Sequence, residues 1–308
     1  MHRSRWTGNR AAGKTGRMRL VNWNIQWGRG VDGRVDLGRI VDEARRLADF
    51  DVLCLQEVTR GFHGDAGAGG LPGGPDADQF ATLSALLPGY TVLCGIGADL
   101  PPVRPGAPRR QNGNAIATRY PVGPVFRHSL PWPSDPAVKS MPRMALEAVL
   151  HSDLGPLRVT TTHLEFYSPS QRLAQADALR DLHVEACGHA ARPSPHGDPD
   201  SPFAAVQRPL SALLCGDFNS AVSDPAYRRM LDPMPAGVPS FVDAWLVRHG
   251  QAPRAPTVGV HDHVQWPQGP FACDFVFVTP DLAARVVRCD VDAQSAASDH
   301  QPIVLEFR

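Results

Sequence analysis

Six short apolar segments of this chain each meet an acid, an amide or an imidazole at one end. RMRLVNWNI (17–25) reaches Asn24, FDVLCLQEV (50–58) reaches Glu57, and LRVTTTHL (157–164) reaches His163. SALLCGDFNS (211–220) reaches Asp217 and Asn219, FACDFVFVT (271–279) carries Asp274, and Asp299–His300 directly precede PIVLEF (302–307). Apolar runs of this length bounded by polar and turn residues read as buried strands. The carboxyl end of a strand is where ligands sit in open α/β sheets. Taken singly, each polar residue also has a structural reading, as a turn, a cap or a hydrogen-bonded core group. The octamer LLCGDFNS by itself reads equally as a chain that turns on Gly216 and decorates the surface. Six such ends together collect oxygen ligands and imidazoles of a kind that suits Mg²⁺ or Mn²⁺.

Helical spacing separates some of these strands. Leu37, Ile40, Val41, Ala44, Leu47 and Ala48 keep a period near 3.6, as do Leu173, Ala176, Leu179, Leu182 and Ala186 in a long helix from near Gln171. A shorter helix is expected over 78–87, with strands near 90–94 and at NAIATR (114–119). MALEAVL (144–150) and LRVTTTHL flank the turn Ser152-Asp153-Leu154-Gly155-Pro156 and so form a hairpin. ARVVRCDV (284–291) is a further strand. The stretches 61–77, 99–111 and 191–209 are rich in Gly, Pro or Arg and read as loops. Helices alternating with strands, followed by hairpins, describe a mixed α/β chain.

Composition bounds the function. Of the 308 residues 43% are hydrophobic and 20% charged, which is globular, and no segment is long and apolar enough to span a bilayer. No stable membrane insertion is expected, the opening MHRSRW lacks the apolar stretch of a signal peptide, and no obligate protein partner is evident. The six cysteines lie mostly in apolar runs without a CxxC pair, so they read as reduced core residues of a cytoplasmic protein. The zero net charge conceals five cations and no acid in residues 1–17, leaving 26 basic against 31 acidic residues in the remainder. That basic tail is expected to be disordered and the folded chain, 18–308, to start near Met18 as one catalytic domain. An acidic body gives no broad footprint for duplex DNA, so phosphate would be held by local cations or by metal.

The ordered segments NWNIQWG (22–28), LCLQE (53–57), GNAIATR (113–119), TTHLE (161–165), LCGDFN (214–219), CDFVFVT (273–279) and SDH (298–300) resemble the motifs of the endonuclease/exonuclease/phosphatase superfamily. Its members include DNase I-like nucleases, apurinic-site endonucleases, sphingomyelinases and inositol-polyphosphate phosphatases. The resemblance implies a four-layer α/β sandwich, with two packed mixed β-sheets flanked by helices. It implies Glu57 as the principal metal ligand, with Asn24 in support and Asp299 on the metal side, and Mg²⁺ or Mn²⁺ as the ion. Asp217 would be the base or orienter of an attacking water, and Asn219 would hold that water or a phosphoryl oxygen. His300 would touch a nonbridging phosphate oxygen, with Asp274 fixing its tautomer across adjacent strands, while His163 would donate to the phosphate. Arg143 and Asn114 would face the phosphate, and Glu165 has a role that varies among relatives. Gln26 stands where some relatives carry an acid, which argues against a second metal at this edge. Read without the resemblance, Asn24 and Asn114 serve equally as turn residues, His163 as a core imidazole and Arg143 as a solvated loop cation.

The implied activity is a metal-dependent phosphoester hydrolase, a phosphodiesterase attacking directly with water, since no dedicated Ser or Cys nucleophile stands out. Its substrate is a phosphate ester: a small molecule, a lipid headgroup or a nucleic acid. A DNA or RNA nuclease is the alternative, to which Arg104, Arg109, Arg110, Arg127 and Lys139 would offer a local patch; a binding protein on the same fold is the remote one. Trp132, Phe166, Tyr167 and Trp266 are candidates for an apolar rim. His261 and His263, two apart, lack the further ligands of a tight zinc site and read as a rim loop. GAGGLPGG (67–74) lacks the GK[ST] ending of a phosphate loop, and no G-x-S-x-G elbow is present.

Overall fold

The computed structural model describes residues 16–62, 78–198 and 201–308; most of the basic tail and the run 67–74 lie outside the described residues. One six-stranded sheet contains β1 (Met18–Asn24), β2 (Val52–Arg60), β3 (Thr91–Leu100), β4 (Arg110–Thr118), β11 (Val286–Val291) and β12 (Ile303–Phe307), in the order β11-β12-β1-β2-β4-β3. The other contains β5 (Val122–Ser129), β6 (Met144–Ser152), β7 (Gly155–His163), β8 (Ala212–Asp217), β9 (Val242–Asp243) and β10 (Asp274–Val278), in the order β5-β6-β7-β8-β10-β9. Each sheet has a parallel pair at its centre, β1 with β2 and β7 with β8. Parallel neighbours need a crossover, supplied by α1 (Leu37–Leu47) and α3 (Pro169–Ala191) respectively. The carboxyl ends of the two central pairs therefore carry Asn24, the Gln56–Glu57 pair, His163 and Asp217.

Side-chain alternation sorts each strand between two layers. Leu20, Cys54, Leu213, Cys215, Val276 and Leu305 meet between the sheets. Val21, Trp23, Leu53 and Leu55 turn outward to α1 and α2 (Gln79–Leu86), against Ile40, Val41 and Phe80. Leu214, Phe275 and Phe277 turn outward to α3 and α4 (Pro225–Leu231). The result is the expected four-layer sandwich. Local sequence closes the helices: Asp36 caps α1 through Arg39 N at 3.0 Å, and Ser168 caps α3 ahead of Pro169.

Several expectations change. Strand β3 runs to Leu100 and β4 starts at Arg110, so the loop between them is shorter than 99–111. Strand β5 falls where none was expected, because Gly123 and Pro124 interrupt an edge strand that is only half buried. FACDFVFVT becomes a strand only from Asp274, which opens β10. Arg17, at the end of the basic segment, pairs with Glu306 of β12. The chain does not turn on Gly216: β8 continues through it to Asp217. Glycine is required there because φ is +149° and a Cβ would lie 1.9 Å from the Thr162 carbonyl oxygen of β7.

Gly216→Ala is accordingly expected to destabilise the fold by about 3 kcal/mol or more in urea unfolding. Gly188→Ala, within α3 and facing open space, is the control and should stabilise by about 0.5–1 kcal/mol. A tolerated Gly216→Ala would contradict the close approach of β7 and β8.

Candidate active site

Strand parity aims most of the site. Asn24 continues the inward row of Leu20, His163 that of Val159 and Leu157, and Asp217 that of Leu213 and Cys215, while Asp274 precedes Val276 and Val278 on the same face. Across the second sheet His163 pairs with Asp217, and Asp217 with Asp274, so three adjacent strand ends form one polar row. Glu57 should break this rule, since Leu53 and Leu55 face the outer helices and residue 57 shares their parity. A β-bulge corrects it. Leu55 pairs with Ala115 and Val58 with Gly113, so Gln56 and Glu57 together oppose Asn114. Glu57 takes a left-handed φ of +61°, rare for a non-glycine residue, and Val58 resumes the outward row. Glu57 thus lies inside β2, which continues to Arg60, and does not close the strand as expected.

Asn24 joins the two sheets. Its Nδ2 donates to Glu57 Oε1 at 3.1 Å and to Asp217 Oδ2 at 2.9 Å, while its Oδ1 accepts the Gln26 N–H at 3.1 Å. The nitrogen side, a donor, faces the carboxylates. Gln26 and Trp27 hold left-handed φ of 43° and 47°, and Gln26 Nε2 reaches Asp299 Oδ2 at 3.1 Å. The same oxygen accepts the Trp266 indole N–H at 3.1 Å. Beneath the site Gln56 Nε2 donates to Asn22 Oδ1 and to Thr161 Oγ1, a second link between sheets.

His300 Nδ1 lies 2.8 Å from Asp274 Oδ2, and His300 Nε2 lies 3.7 Å from Asp217 Oδ2. The pair connects the two sheets, because β10 and the segment before β12 belong to different ones; it is not a contact across adjacent strands. Burial alone would push the His300 imidazole down, but Asp274, Asp217 and Asp299 outweigh it and hold it well above the usual range. A charged imidazole between Asp217 and Asp274 relieves two carboxylates placed directly opposite each other. Burial pushes Asp217 upward, Asp274 adds to this, and His300 opposes it. His163 goes the other way: burial, then Arg143, then His300 push it well below its ordinary value. Asn219 Nδ2 donates to Leu164 O and meets His163 Nε2, both at 2.9 Å. Nε2 is then an acceptor, also 3.4 Å from Asp217 Oδ2, and the His163 proton sits on Nδ1.

The remaining expected residues divide. Arg143 is buried, its Nε 3.3 Å from Glu165 Oε2, and its Nη1 has no partner, which suits an anion. Glu165 therefore orients Arg143 and also accepts the Tyr167 N–H. Asn114 opposes the bulge, but its amide donates to the Met144 carbonyl at 3.2 Å, a link between the sheets. His261 is exposed and tied to the Ala293 carbonyl, and Asp262 between the two histidines accepts from Val264 N and Gln265 N. Gln265 reaches Gln26, so this loop does border the site. Arg109 is paired with Asp99, and Arg127 bonds the Cys94 carbonyl, which depletes the proposed cationic patch.

Cys273 was legible only as a core residue. It is buried with its sulfur 3.6 Å from Asp274 Oδ2, and donor atoms of Asp217, Cys273, Asp274 and His300 lie within 4.8 Å of one another. Asp274 Oδ1 is buried without a partner. On the opposite side, burial and then Asp299 raise Glu57 from 4.5 to about 7, against Asn24 and His300. A carboxylate such as Glu57, whose ionisation is opposed by burial and by a neighbouring acid, fits a divalent cation. Glu57 and Asp299 would hold it.

Without metal, the raised Glu57 pKa makes the folded state bind more protons than the unfolded one between about 4.5 and 7. This group's contribution to stability therefore falls as pH rises through that window. In EDTA at pH 8, Glu57→Gln should melt above the parent chain, and at pH 4.5 the two should converge. Mn²⁺ at pH 8 should raise the parent's Tm and not the variant's. A parent more stable than Glu57→Gln at pH 8 in EDTA would contradict the described environment.

The sequence of residues 21–300 matches the model of the Endonuclease/Exonuclease/phosphatase family. No curated protein matches the chain. Among solved structures, an endonuclease/exonuclease/phosphatase from Beutenbergia cavernae is 26% identical, with a TM-score of 0.64 over 95% of this chain and 71% of that one. The mannosyl-6-phosphatase Bt3783 of Bacteroides thetaiotaomicron (17% identical, TM-score 0.62, 94% of this chain and 99% of that one) shares the fold. So does the catalytic domain of human Nocturnin (16%, TM-score 0.57, 95% and 94%). With motifs, fold and family model in agreement, the chain belongs to the endonuclease/exonuclease/phosphatase family, on the DNase I-like fold.

Proposed function

We propose that this protein is a divalent-metal-dependent phosphodiesterase that hydrolyses its substrate by direct attack of water. The observation that carries the reading is the one cluster in which Asn24 ties Glu57 to Asp217, with His300, His163 and Arg143 around them. Mg²⁺ or Mn²⁺ bound by Glu57 and Asp299 would neutralise phosphoryl charge and stabilise the departing oxygen. Asp217 is the base. Its upward shift improves its match to neutral pH, and Asn24 Nδ2 and the Asn219 N–H (2.8 Å) fix its two oxygens. The water oxygen bonds to phosphorus, its proton passes to Asp217, and the ester P–O bond breaks. His300, held charged by Asp274, faces a nonbridging oxygen, and the unpartnered Arg143 Nη1 is available to another. The six cysteines are all free, five of them buried, which suits a reducing cytoplasm.

Asp217→Asn keeps the shape of the strand end but cannot accept the proton. At saturating Mg²⁺, with bis(p-nitrophenyl) phosphate and a panel of plasmid DNA, RNA, sphingomyelin and inositol phosphates, turnover should fall by about 10² or more on whichever substrate is active. Near-parental turnover would remove Asp217 from the chemistry. No EDTA-sensitive hydrolysis of any panel member by the parent chain would overturn the reading itself.

A further inference from the structure

Two side-chain amides run in series from the loop of His261 and His263 to Asp299. Asp262 accepts the backbone N–H groups of Val264 and Gln265 on Oδ1, at 3.1 and 2.9 Å, and the Gln265 Nε2–H on Oδ2, at 2.5 Å. Gln265 Oε1 accepts from Gln26 Nε2 at 2.9 Å, and the same nitrogen donates to Asp299 Oδ2 at 3.1 Å. Both ends of the series are carboxylates, which accept only when ionised, so every bond in it has one direction. Gln265 turns its nitrogen to Asp262 and its oxygen to Gln26, and Gln26 turns its nitrogen to Asp299. An acid at position 26 would instead set one acceptor against another.

The two oxygens of Asp299 are thereby made unequal. Oδ2 also accepts the Trp266 indole N–H at 3.1 Å, so two donors engage it. Oδ1 meets the Ser298 hydroxyl at 3.3 Å, but that hydroxyl has a closer acceptor in the Asn24 carbonyl oxygen, at 2.8 Å. The lone pairs of Oδ1 are left for a further partner, on a buried acid that also raises Glu57. The backbone is held too, since Gly259 N donates to the Asp299 carbonyl at 3.1 Å. Gln26 is itself aimed by its left-handed backbone and by its N–H on Asn24 Oδ1.

From this geometry, and resting on the metal-dependent reading above, we infer that Gln26 and Gln265 are positioning residues that leave Asp299 one oxygen for the cation. The loop 261–266 thereby sets both the affinity and the selectivity of the metal position. Carboxylates that ligate metal are themselves hydrogen-bonded, and loss of such a partner costs about 10–100-fold in metal affinity. A carboxylate with one oxygen already engaged offers one ligand, which suits the octahedral demand of Mg²⁺ or the similar Mn²⁺. Ca²⁺ takes more oxygens, and often both from one carboxylate. The neutral amide at position 26 therefore does two things that an acid there would not: it donates to Asp299, and it holds Asp299 in the form that favours the smaller ion.

Mn²⁺ binding, followed by loss of the free-ion electron paramagnetic resonance signal with Ca²⁺ as competitor, tests the inference. Gln26→Met keeps the length of the side chain and removes the donor. Its Mn²⁺ Kd should rise about tenfold or more, with a smaller loss for Ca²⁺, so the preference for Mn²⁺ over Ca²⁺ falls. Gln265→Ala, at an exposed residue, should weaken Mn²⁺ in the same direction. Because it acts through Gln26, the double variant should bind Mn²⁺ no more weakly than Gln26→Met alone. Thermal melting in EDTA checks that the variants are folded. An unchanged Mn²⁺ Kd in Gln26→Met, an equal loss for both ions, or full additivity of the two substitutions would overturn the inference. Should Gln26→Met not fold, an unchanged Mn²⁺ Kd in Gln265→Ala overturns it. If the parent binds Mn²⁺ and Glu57→Gln does not, the metal reading stands whatever Gln26 does. If the parent binds no Mn²⁺, both fail.

Discussion

One amide holds the polar cluster together. Asn24 ends β1 in the first sheet and donates at once to Glu57 of that sheet and to Asp217 of the second. Two carboxylates that are both pushed upward by burial are kept at a fixed separation by a neutral donor, and the His300–Asp274 pair repeats the connection a short distance away. A buried carboxylate without such partners would protonate or reach for water. The fold therefore gathers carboxylates at one edge of the two sheets, and hydrogen bonds hold them in place.

This concentration depends on backbone geometry as much as on residue type. The two central parallel pairs end at the same edge of the sandwich, and strand parity turns Asn24, His163, Asp217 and Asp274 toward each other. Glu57 joins them only through the bulge and its left-handed backbone. Conformations of that sort cost of order 1–3 kcal/mol and persist where the surroundings fix them. Here Gln56, beside Glu57, is fixed by Asn22 and Thr161 below the site. The Gln26–Trp27 pair, also left-handed, carries Gln26 to Asp299 and places the Trp27 carbonyl on Gln79 of α2 at 2.7 Å. Among the described residues, left-handed non-glycine backbone gathers at three places around this site: Gln26–Trp27, Glu57, and Asn219 with φ of 49°.

Much of this was legible in the sequence, and the exceptions have physical causes. Period-2 and period-3.6 patterns located α1, α3, the β6–β7 hairpin and the strands before Asn24, His163 and Asp217, because burial imposes those periods. The bulge was invisible: LCLQEV is apolar on both faces of a buried strand, so an extra residue leaves no break in alternation. Strand β5 was missed because VGPVFRHS mixes strand formers with Gly and Pro at an edge. Gly216 looked like a turn because glycine marks both turns and close backbone approaches, and only the neighbouring Thr162 carbonyl distinguishes them. Cys273 and Gln265 carried no signal, since a thiol in an apolar run and an amide in a loop are common everywhere.

The central claim is that Glu57, re-aimed by the bulge, is a metal ligand. Anomalous diffraction from Mn²⁺-soaked crystals locates the ion directly. The account predicts a peak within about 2.3 Å of a Glu57 carboxylate oxygen, on the side shared with Asp299. A peak held instead by Asp217, Cys273, Asp274 and His300, with none at Glu57, would contradict it.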